Sequence, residues 1–311
     1  MLKQKQLVWL NSGYSQIAII FPFVVAIPRF LRHELTLGGL MQVATAFGRV
    51  QDSLSYFVDM YSTLAEWQAV VDRLTGFEED MARVQLTGSH SHVDRQVSTD
   101  GALHLEPLEV DLPDGSPILK PLTVTLEPGQ NVLIKGVSGS GKSTLLRALA
   151  GIWPFARGKV ALPPHDQLLF IPQRPYLPLG TLREAVLYPG TREYDDATLQ
   201  QTLEQCRIGY LAGRLDEEND WAHVLSIGEQ QRVAFARALL TKPGWLFMDE
   251  STSALDEETE NALYRLLAEK LPGTTLVSVG HRSTLIRYHQ RVLALDKETH
   301  TASLQPVEKF L

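Results

Sequence analysis

The sequence predicts two unlike regions, an apolar helical region at the N-terminus and a larger α/β domain with a mainly parallel sheet. No charged residue occurs from Leu7 to Pro28. From Leu103 onward, β-rich runs alternate with helical runs, which is typical of a parallel sheet with helices on both faces. A glycine-rich loop joins one of these strands to the following helix. We therefore expect transmembrane helices in residues 1–76, a linker at 77–101 and the α/β domain at 102–311.

The composition of the chain excludes several classes of protein. Its 311 residues, 44% hydrophobic and 21% charged, suit two folded domains. The net charge is −7 and no Lys/Arg-rich block occurs, so nucleic acid is not an expected partner. A single cysteine, Cys206, excludes an internal disulfide and fits a reducing compartment or the cytoplasmic side of a membrane.

The apolar run at Leu7–Pro28 suits a membrane-spanning helix, which needs about 20 residues. Lys3 and Lys5 precede the run and favour a cytoplasmic start, whereas Arg29 and Arg32 at its other end weaken that inference. A secretory signal peptide is the alternative, but no convincing small-residue cleavage site follows the run. The sequence therefore favours a membrane span.

The next run, residues 37–74, contains no proline and repeats small residues such as Gly39 and Gly48, which allow close helix packing in a membrane. It is too long for one crossing, and its later part carries charged residues such as Asp72. We expect this helix to leave the membrane and extend into water; the alternative is a soluble amphipathic helix pair. Residues 77–101 lose the periodicity and gain Ser, Thr and Gly, which indicates a linker.

The loop "GVSGSGKST" follows the strand "NVLIKG" and matches the pattern G-x-x-x-x-G-K-[ST] of a P-loop. Its glycines allow successive backbone N–H groups to point at phosphate oxygens, and the N-terminus of the next helix adds a partial positive charge. In this pattern Lys142 bridges the β- and γ-phosphates, and Ser143 supplies a hydroxyl to Mg²⁺. The predicted nucleotide-binding residues are Gly136, Ser138, Gly139, Ser140, Gly141, Lys142, Ser143 and Thr144.

Polar residues follow three further strand candidates. The run "WLFMDE" ends in two acids, Asp249 and Glu250. Asp249 lies where a P-loop sheet holds its Mg²⁺-binding carboxylate. Glu250 could act as general base or position the attacking water. Gln173, after "LLFIP", could bond the attacking water or ligate Mg²⁺, and His281, after "TLVSVG", could hold the γ-phosphate and orient Glu250. Taken singly, Asp249 could be a helix cap and the others ordinary loop residues. As a set they indicate a catalytic site with Ser143, Gln173 and Asp249 as metal ligands.

The stretch "LSIGEQQRVAFARALL", residues 225–240, begins with a capping-box pattern, in which Ser226 caps a helix and Glu229 bonds back to the cap amide. Gly228 lies inside the first turn, where glycine costs about 1 kcal/mol relative to alanine. An exposed helix N-terminus is also an anion site. We therefore expect Gly228 to keep the helix amides accessible, and Ser226 to cap the helix until it turns toward a bound phosphate.

Together these motifs resemble the ATP-binding cassette transporters over about residues 103–300. In the order of that family, "GVSGSGKST" resembles Walker A, Gln173 the Q-loop, "LSIGE" the signature, "WLFMDE" Walker B, "SALD" the D-loop and His281 the switch histidine. Runs such as "GIWPFARGKV" and "LAEWQAVVDRLTGF" are similar to bacterial relatives of the peroxisomal fatty-acyl transporter subfamily. In that subfamily one chain carries both the membrane domain and the ATPase. The resemblance also implies a helical subdomain, which would include the residues after Gln173 through "GTLREAVLYP" and transmit movement to the membrane helices.

The resemblance implies that two chains pair head to tail, so that each ATP lies between the P-loop of one chain and the signature of the other. It implies ATP and Mg²⁺ as ligands, a second half-transporter as partner in a homodimer, and contact with membrane lipid. It also implies an inner (plasma) membrane location with the ATPase domain in the cytoplasm. Ser226, Gly228 and Glu229 would contact the partner's ATP. A half-transporter has four more membrane helices ahead of these two, so the resemblance implies an N-terminally truncated chain.

Three matters stay open at this point. Many members of the family stack an aromatic on adenine near the position of Leu112, and none occurs here, so we expect adenine to rest on aliphatic surface. The substrate could be fatty-acyl, peptide-like or vitamin-like. A soluble or truncated ATPase with a regulatory role is an alternative function, as is an inactive binding subunit, although Lys142, Glu250 and His281 favour catalysis.

Overall fold

Two long helices occupy the start of the chain in the computed structural model, which describes residues 2–90, 93–190 and 192–310. They are α1 (Leu2–Leu31) and α2 (Leu37–His90). The chain separates into two units, Met1–Val84 and Gln85–Leu311. The first unit therefore consists of α1 and most of α2.

Within the first unit, α1 and α2 meet at an aromatic pair, since the rings of Phe21 and Phe47 lie 5.6 Å apart. Ala18 is buried, but larger apolar side chains of α1 remain exposed, such as Ile17 at 68% and Val24 at 61%. Among the described residues, no helix combines the length and the apolar character that a bilayer crossing needs. The membrane spans predicted from the sequence are therefore not confirmed.

Residues 77–101, predicted to form a linker, are largely regular structure. Helix α2 continues to His90, and a strand, β1 (Val93–Val97), follows; Ser91 and His92 lie outside the described residues. The division between the two units falls inside this range. The sequence failed to reveal β1 because its last three residues are exposed, so the strand lacks the apolar alternation that marks a half-buried strand.

The second unit is an α/β domain, as predicted, and its strands form three sheets. After β1 they are β2 (Leu103–Asp111), β3 (Pro117–Leu126), β4 (Val132–Lys135), β5 (Ala156–Leu162), β6 (Leu168–Ile171), β7 (Gly180–Thr181), β8 (Glu218–Asn219), β9 (Trp245–Asp249), β10 (Thr275–Val279), β11 (Arg291–Asp296) and β12 (Thr301–Pro306). The largest sheet has the order β12-β11-β4-β10-β9-β6, and all its neighbours are parallel except β11 and β12. The others have the orders β1-β5-β2-β3 and β7-β8.

The helices of the second unit follow the predicted alternation with strands. They are α3 (Lys142–Ala150), α4 (Leu182–Leu187), α5 (Asp196–Gln205), α6 (Trp221–Val224), α7 (Ile227–Thr241) and α8 (Glu257–Lys270). Short 3₁₀ turns occur at His165–Gln167, Gly209–Arg214, Ser283–Tyr288 and Val307–Phe310. Helices α4 to α7 form the predicted helical subdomain, whose core contains Trp221 and Cys206. Burial raises the pKa of the Cys206 thiol to about 12, so this cysteine is neutral at physiological pH.

Strand β9, which lies between β10 and β6, shows why the largest sheet is covered on both faces. Trp245 and Phe247 pack into one apolar cluster, together with Leu145 of α3. Leu246 and Met248, which alternate with them, pack into a second cluster that includes the helical subdomain. A parallel strand that is apolar on both faces needs a layer on each side, because alternate side chains point in opposite directions.

Strand β1 holds the C-terminus of α3. Arg95 Nη1 donates to Ala150 O at 3.2 Å, and Nη2 donates to Leu149 O. These carbonyls have no partner within the helix, and a cation at this end also interacts favourably with the helix dipole. The next residue, Gly151, has a φ of 77°, and a Cβ there would lie 2.1 Å from Arg95 Nη1. Arg95 and Gly151 therefore fix the end of the helix that begins at the P-loop.

The change Gly151→Ala should lower the free energy of unfolding of the full chain by about 1–3 kcal/mol, measured by urea unfolding. Alanine disfavours this positive φ, and the guanidinium of Arg95 would have to move away from its methyl group. Gly273→Ala is the matched control, because no atom lies within 4 Å of a Cβ at that position. Equal unfolding free energies for the two variants would contradict the role given to Gly151.

Candidate functional site

The predicted catalytic residues converge at one edge of the six-stranded sheet. The glycine-rich loop follows β4, Gln173 follows β6, Asp249 ends β9 and His281 follows β10. These four strands are parallel, so their carboxyl ends lie at the same edge. Open α/β sheets bind their ligands at this edge.

Lys142, the lysine of the glycine-rich loop, hydrogen-bonds to the loop itself. Its Nζ donates to Gly136 O at 3.0 Å and to Val137 O at 3.1 Å. The side chain is buried, and burial lowers the pKa of its ammonium group, while the charges of Glu250 and Asp249 act in the opposite direction. The lysine thus binds carbonyl oxygens that phosphate oxygens could replace.

The rest of the loop also fits an anion. Ser140 Oγ is buried and has no hydrogen-bond partner among the described residues. Gly141, the N-cap of α3, has a φ of 90° and gives the helix no side-chain cap. A Cβ at Gly141 would lie 2.1 Å from Ile118 Cγ2, so only glycine fits between the loop and this side chain. An orphaned hydroxyl and an uncapped helix N-terminus are suited to phosphate.

Two predicted metal ligands lie next to each other. Ser143 Oγ donates to Asp249 Oδ1 at 2.7 Å. Burial raises the pKa of the Asp249 carboxyl, the Ser143 bond opposes that shift, and the neighbouring Glu250 charge adds to it. Among the described residues, no cluster of three His, Cys, Asp or Glu side chains could hold a metal. The pair fits Mg²⁺, which takes few protein ligands and keeps water and phosphate oxygens.

The carboxylate of Glu250 is held at both oxygens. Gln173 Nε2 donates to Oε2 at 3.1 Å, and His281 Nε2 lies 3.0 Å from Oε1. In this structure the Gln173 amide therefore contacts Glu250, whereas its predicted role as a metal ligand stays a prediction. Glu250 has a φ of 47°, an uncommon conformation for a residue other than glycine, and its N–H donates to Val279 O at 3.1 Å. The backbone and both neighbours thus fix one orientation of this carboxylate.

The start of α7 forms the capping box that the sequence predicts. Ser226 Oγ accepts from the Glu229 N–H at 3.3 Å, and the Ser226 N–H donates to Glu229 Oε2 at 2.7 Å. Burial raises the pKa of the Glu229 carboxyl, but the bonds from Ser226 and Tyr210 outweigh burial and keep it below its usual value. The sequence did not single out Tyr210, whose hydroxyl donates to Glu229 Oε1, because the two residues are far apart along the chain.

Gly228 packs against its own chain. A Cβ there would lie 3.2 Å from Ala254 O and 3.3 Å from Leu255 Cδ2. From the sequence we expect this glycine to give a partner's phosphate access to the helix amides. The structure adds a second reason, the close approach of Ala254 and Leu255 of the same chain. Ser226 and Gly228 line a groove with Ala254, Leu255 and other residues, and no residue of the glycine-rich loop is among its described lining. The groove beside the signature residues is thus lined by α7, by residues 254–256 and by Thr259.

Comparison with known proteins relates both units to transporters. Residues 119–253 match the family described as ABC transporter, and residues 6–82 match the SbmA/BacA-like family. An uncharacterized ABC transporter ATP-binding protein of Haemophilus influenzae is 42% identical over 288 residues, covering 92% of this chain and 48% of that protein. The inner membrane ABC transporter ATP-binding protein YddA of Escherichia coli is 35% identical over 282 residues, covering 91% and 49%.

A plant protein extends the comparison. ABC transporter D family member 2, chloroplastic, of Arabidopsis thaliana is 30% identical over 366 residues, covering 95% of this chain and 52% of that protein. The chain spans about half the length of the curated relatives it matches. The matches agree with the order of motifs along the chain, and the α/β domain is accordingly a nucleotide-binding domain of the ABC type.

The change Gly228→Asp should abolish ATP hydrolysis and leave ATP affinity of the monomer within about twofold. The new Cβ would press on Ala254 O, and the carboxylate would place a negative charge at the helix N-terminus, where it would repel a phosphate. Phosphate release and binding of a fluorescent ATP analogue measure the two effects. Gly213→Asp, in the same subdomain and with no atom within 4 Å of a Cβ, is the control. Loss of monomer binding in Gly228→Asp would contradict the separation of the two sites.

Proposed function

Because the chain belongs to the ATP-binding cassette transporter family, we propose that it binds and hydrolyses ATP as a subunit of a membrane transporter and couples hydrolysis to translocation. One observation carries this proposal. The Glu250 carboxylate lies between Gln173 and His281, at 3.1 and 3.0 Å, beside the bonded pair of Ser143 and Asp249. A carboxylate fixed in this way is suited to bind and deprotonate a water molecule.

The glycine-rich loop would hold the phosphates of ATP. Its N–H groups would surround the phosphate oxygens, and Lys142 would exchange the carbonyls of Gly136 and Val137 for β- and γ-phosphate oxygens. Ser140 Oγ, which is buried without a partner among the described residues, would donate to one of these oxygens. Leu112 is 40% exposed and offers aliphatic surface to the base.

Ser143 and Asp249 would hold Mg²⁺, with Gln173 as a further ligand. When bound, the ion neutralises charge that develops on the phosphates. Glu250 accepts a hydrogen bond from water and takes its proton as the water oxygen bonds to the γ-phosphorus and the bond to the ADP oxygen breaks. His281, held at Glu250, orients the carboxylate and contacts the γ-phosphate.

A second copy of the chain would complete each site in a head-to-tail homodimer. Ser226, Gly228 and Glu229 would face the ATP on the partner's P-loop. Two features support this arrangement: exposed hydrogen bonds between Ser226 and Glu229 cap the N-terminus of α7, and no P-loop residue is among the described lining of the groove beside it. Ser226 would turn from its capping bond toward phosphate when the pair closes.

Residues 1–76 would be the final two transmembrane helices of the transporter, in the inner membrane, with the second unit in the cytoplasm. Apolar side chains of α1, such as Ile17 and Val24, are exposed, and their contact with water is unfavourable. Lipid and further membrane helices would shield them from water. The SbmA/BacA-like match and the inner membrane relative of Escherichia coli support this location. The substrate would be a fatty-acyl, peptide-like or vitamin-like compound.

The change Glu250→Gln should lower phosphate release from ATP by about a hundredfold or more, while ATP affinity stays within about twofold. The amide keeps the shape of the side chain but cannot take a proton from water. The measurement uses the full chain purified in detergent, with Glu269→Gln, an exposed change on α8, as the control. Unchanged hydrolysis in Glu250→Gln would overturn the role assigned to this carboxylate.

Membrane fractionation of cells that express the full chain tests the location. We expect the protein in the inner membrane fraction, resistant to extraction by carbonate and released by detergent, because a helix in lipid does not depend on ionic contacts. A point change that places a charge on the exposed face, Val24→Lys, should reduce that fraction. Full recovery of the unchanged protein in the soluble fraction would overturn the transporter proposal.

A further inference from the structure

A fully buried glutamine in the second turn of α7 connects three elements of the site. Gln231 is 0% exposed, and its Nε2 donates to Gln173 O at 3.0 Å and to Ser253 Oγ at 3.3 Å. Its Oε1 accepts from the Ala254 N–H at 3.2 Å. Both N–H groups and the oxygen of the amide are therefore bonded. None of these bonds is to the helix that carries Gln231.

The partners of Gln231 belong to different nucleotide sites under the proposed function. Gln173 contacts Glu250, so it belongs to the site of the ATP bound to its own chain. Ala254, by contrast, packs against Gly228 in the groove that would face the partner's ATP. The backbone already links Glu250 to this segment, because the Ser253 N–H donates to Glu250 O at 3.0 Å. Gln231 adds a direct link between the Gln173 loop and residues 253–256.

We propose that Gln231 is a positioning residue that couples the two ATP sites of a pair, an inference that rests on the proposed function. When the Gln173 loop moves on binding nucleotide, the bond to Gln173 O transmits the movement through one rigid amide to Ser253 and Ala254. The signature helix moves with them, because Gln231 lies in its second turn. The amide suits this role because it donates and accepts at once, and a buried carbonyl or N–H left without its partner is unfavourable, so the three bonds hold together.

The adjacent residue provides a matched control. Gln230 is also buried, at 8% exposure, and its Nε2 donates to Ala222 O at 2.8 Å and Leu225 O at 2.9 Å. Both acceptors belong to the segment just ahead of α7. Gln230 and Gln231 thus share residue type, helix and burial, but only Gln231 contacts Gln173 and residues 253–256.

The test compares Gln231→Met with Gln230→Met in the full chain purified in detergent. Methionine keeps the length of the side chain and removes the hydrogen bonds, so both variants should lose thermal stability to a similar extent. We expect Gln231→Met to lower kcat for ATP hydrolysis by about tenfold or more, with KM within about twofold, and Gln230→Met to keep kcat within about twofold.

A double change separates coupling from loss of structure. Ser253→Ala removes one partner at an exposed position, where water can take its place, so it should change stability less than Gln231→Met does and lower kcat by about threefold. Added to Gln231→Met it should lower kcat no further. Equal kcat values for Gln231→Met and Gln230→Met, or fully additive effects with Ser253→Ala, would overturn the inference while wild type still hydrolyses ATP. No hydrolysis by wild type would instead overturn the proposed function and this inference with it.

Discussion

The position of the Glu250 carboxylate depends on the register of three parallel strands. Ile171 pairs with Met248, and Val279 pairs with Asp249, so β6, β9 and β10 end at the same level. Only then do the residues that follow, Gln173 and His281, reach the carboxylate from both sides. A slip of one residue in either pairing would turn every side chain of that strand to the opposite face. The apolar clusters on both faces therefore fix the catalytic geometry, because they allow one register.

The start of α7 shows how one set of polar groups can stabilise a fold and remain available to a ligand. Ser226 and Glu229 satisfy each other's backbone amides, and Tyr210 holds Glu229 from outside the helix. These bonds are local and exposed, so phosphate can replace them at little cost in stability. Gly228 has a different reason for its identity, since a Cβ there would lie only 3.2 Å from Ala254 O and would push the two segments apart. The glycine lowers the helix propensity of α7, but it allows the helix to pack closely against Ala254 and Leu255.

Much of the fold and of the candidate site could be predicted from the sequence. The P-loop, the strands that end at Gln173, Asp249 and His281, and the capping box all leave local signals in residue type and spacing. What the sequence did not reveal depends on contacts between distant segments. Strand β1 is polar, and its residues have the composition of a linker. Gln231 has the sequence context of an ordinary polar helix residue, and only its distant partners distinguish it.

Arg95 also determines where the chain can be cut. A shortened protein that starts at Ala102, the domain start indicated by sequence periodicity, would lack β1 and the guanidinium that binds the last carbonyls of α3. Removing β1 would also expose the free edge of β5, and open strand edges promote association between molecules. A shortened form of the second unit should therefore begin ahead of β1, because this strand fixes the end of the helix that starts at the P-loop.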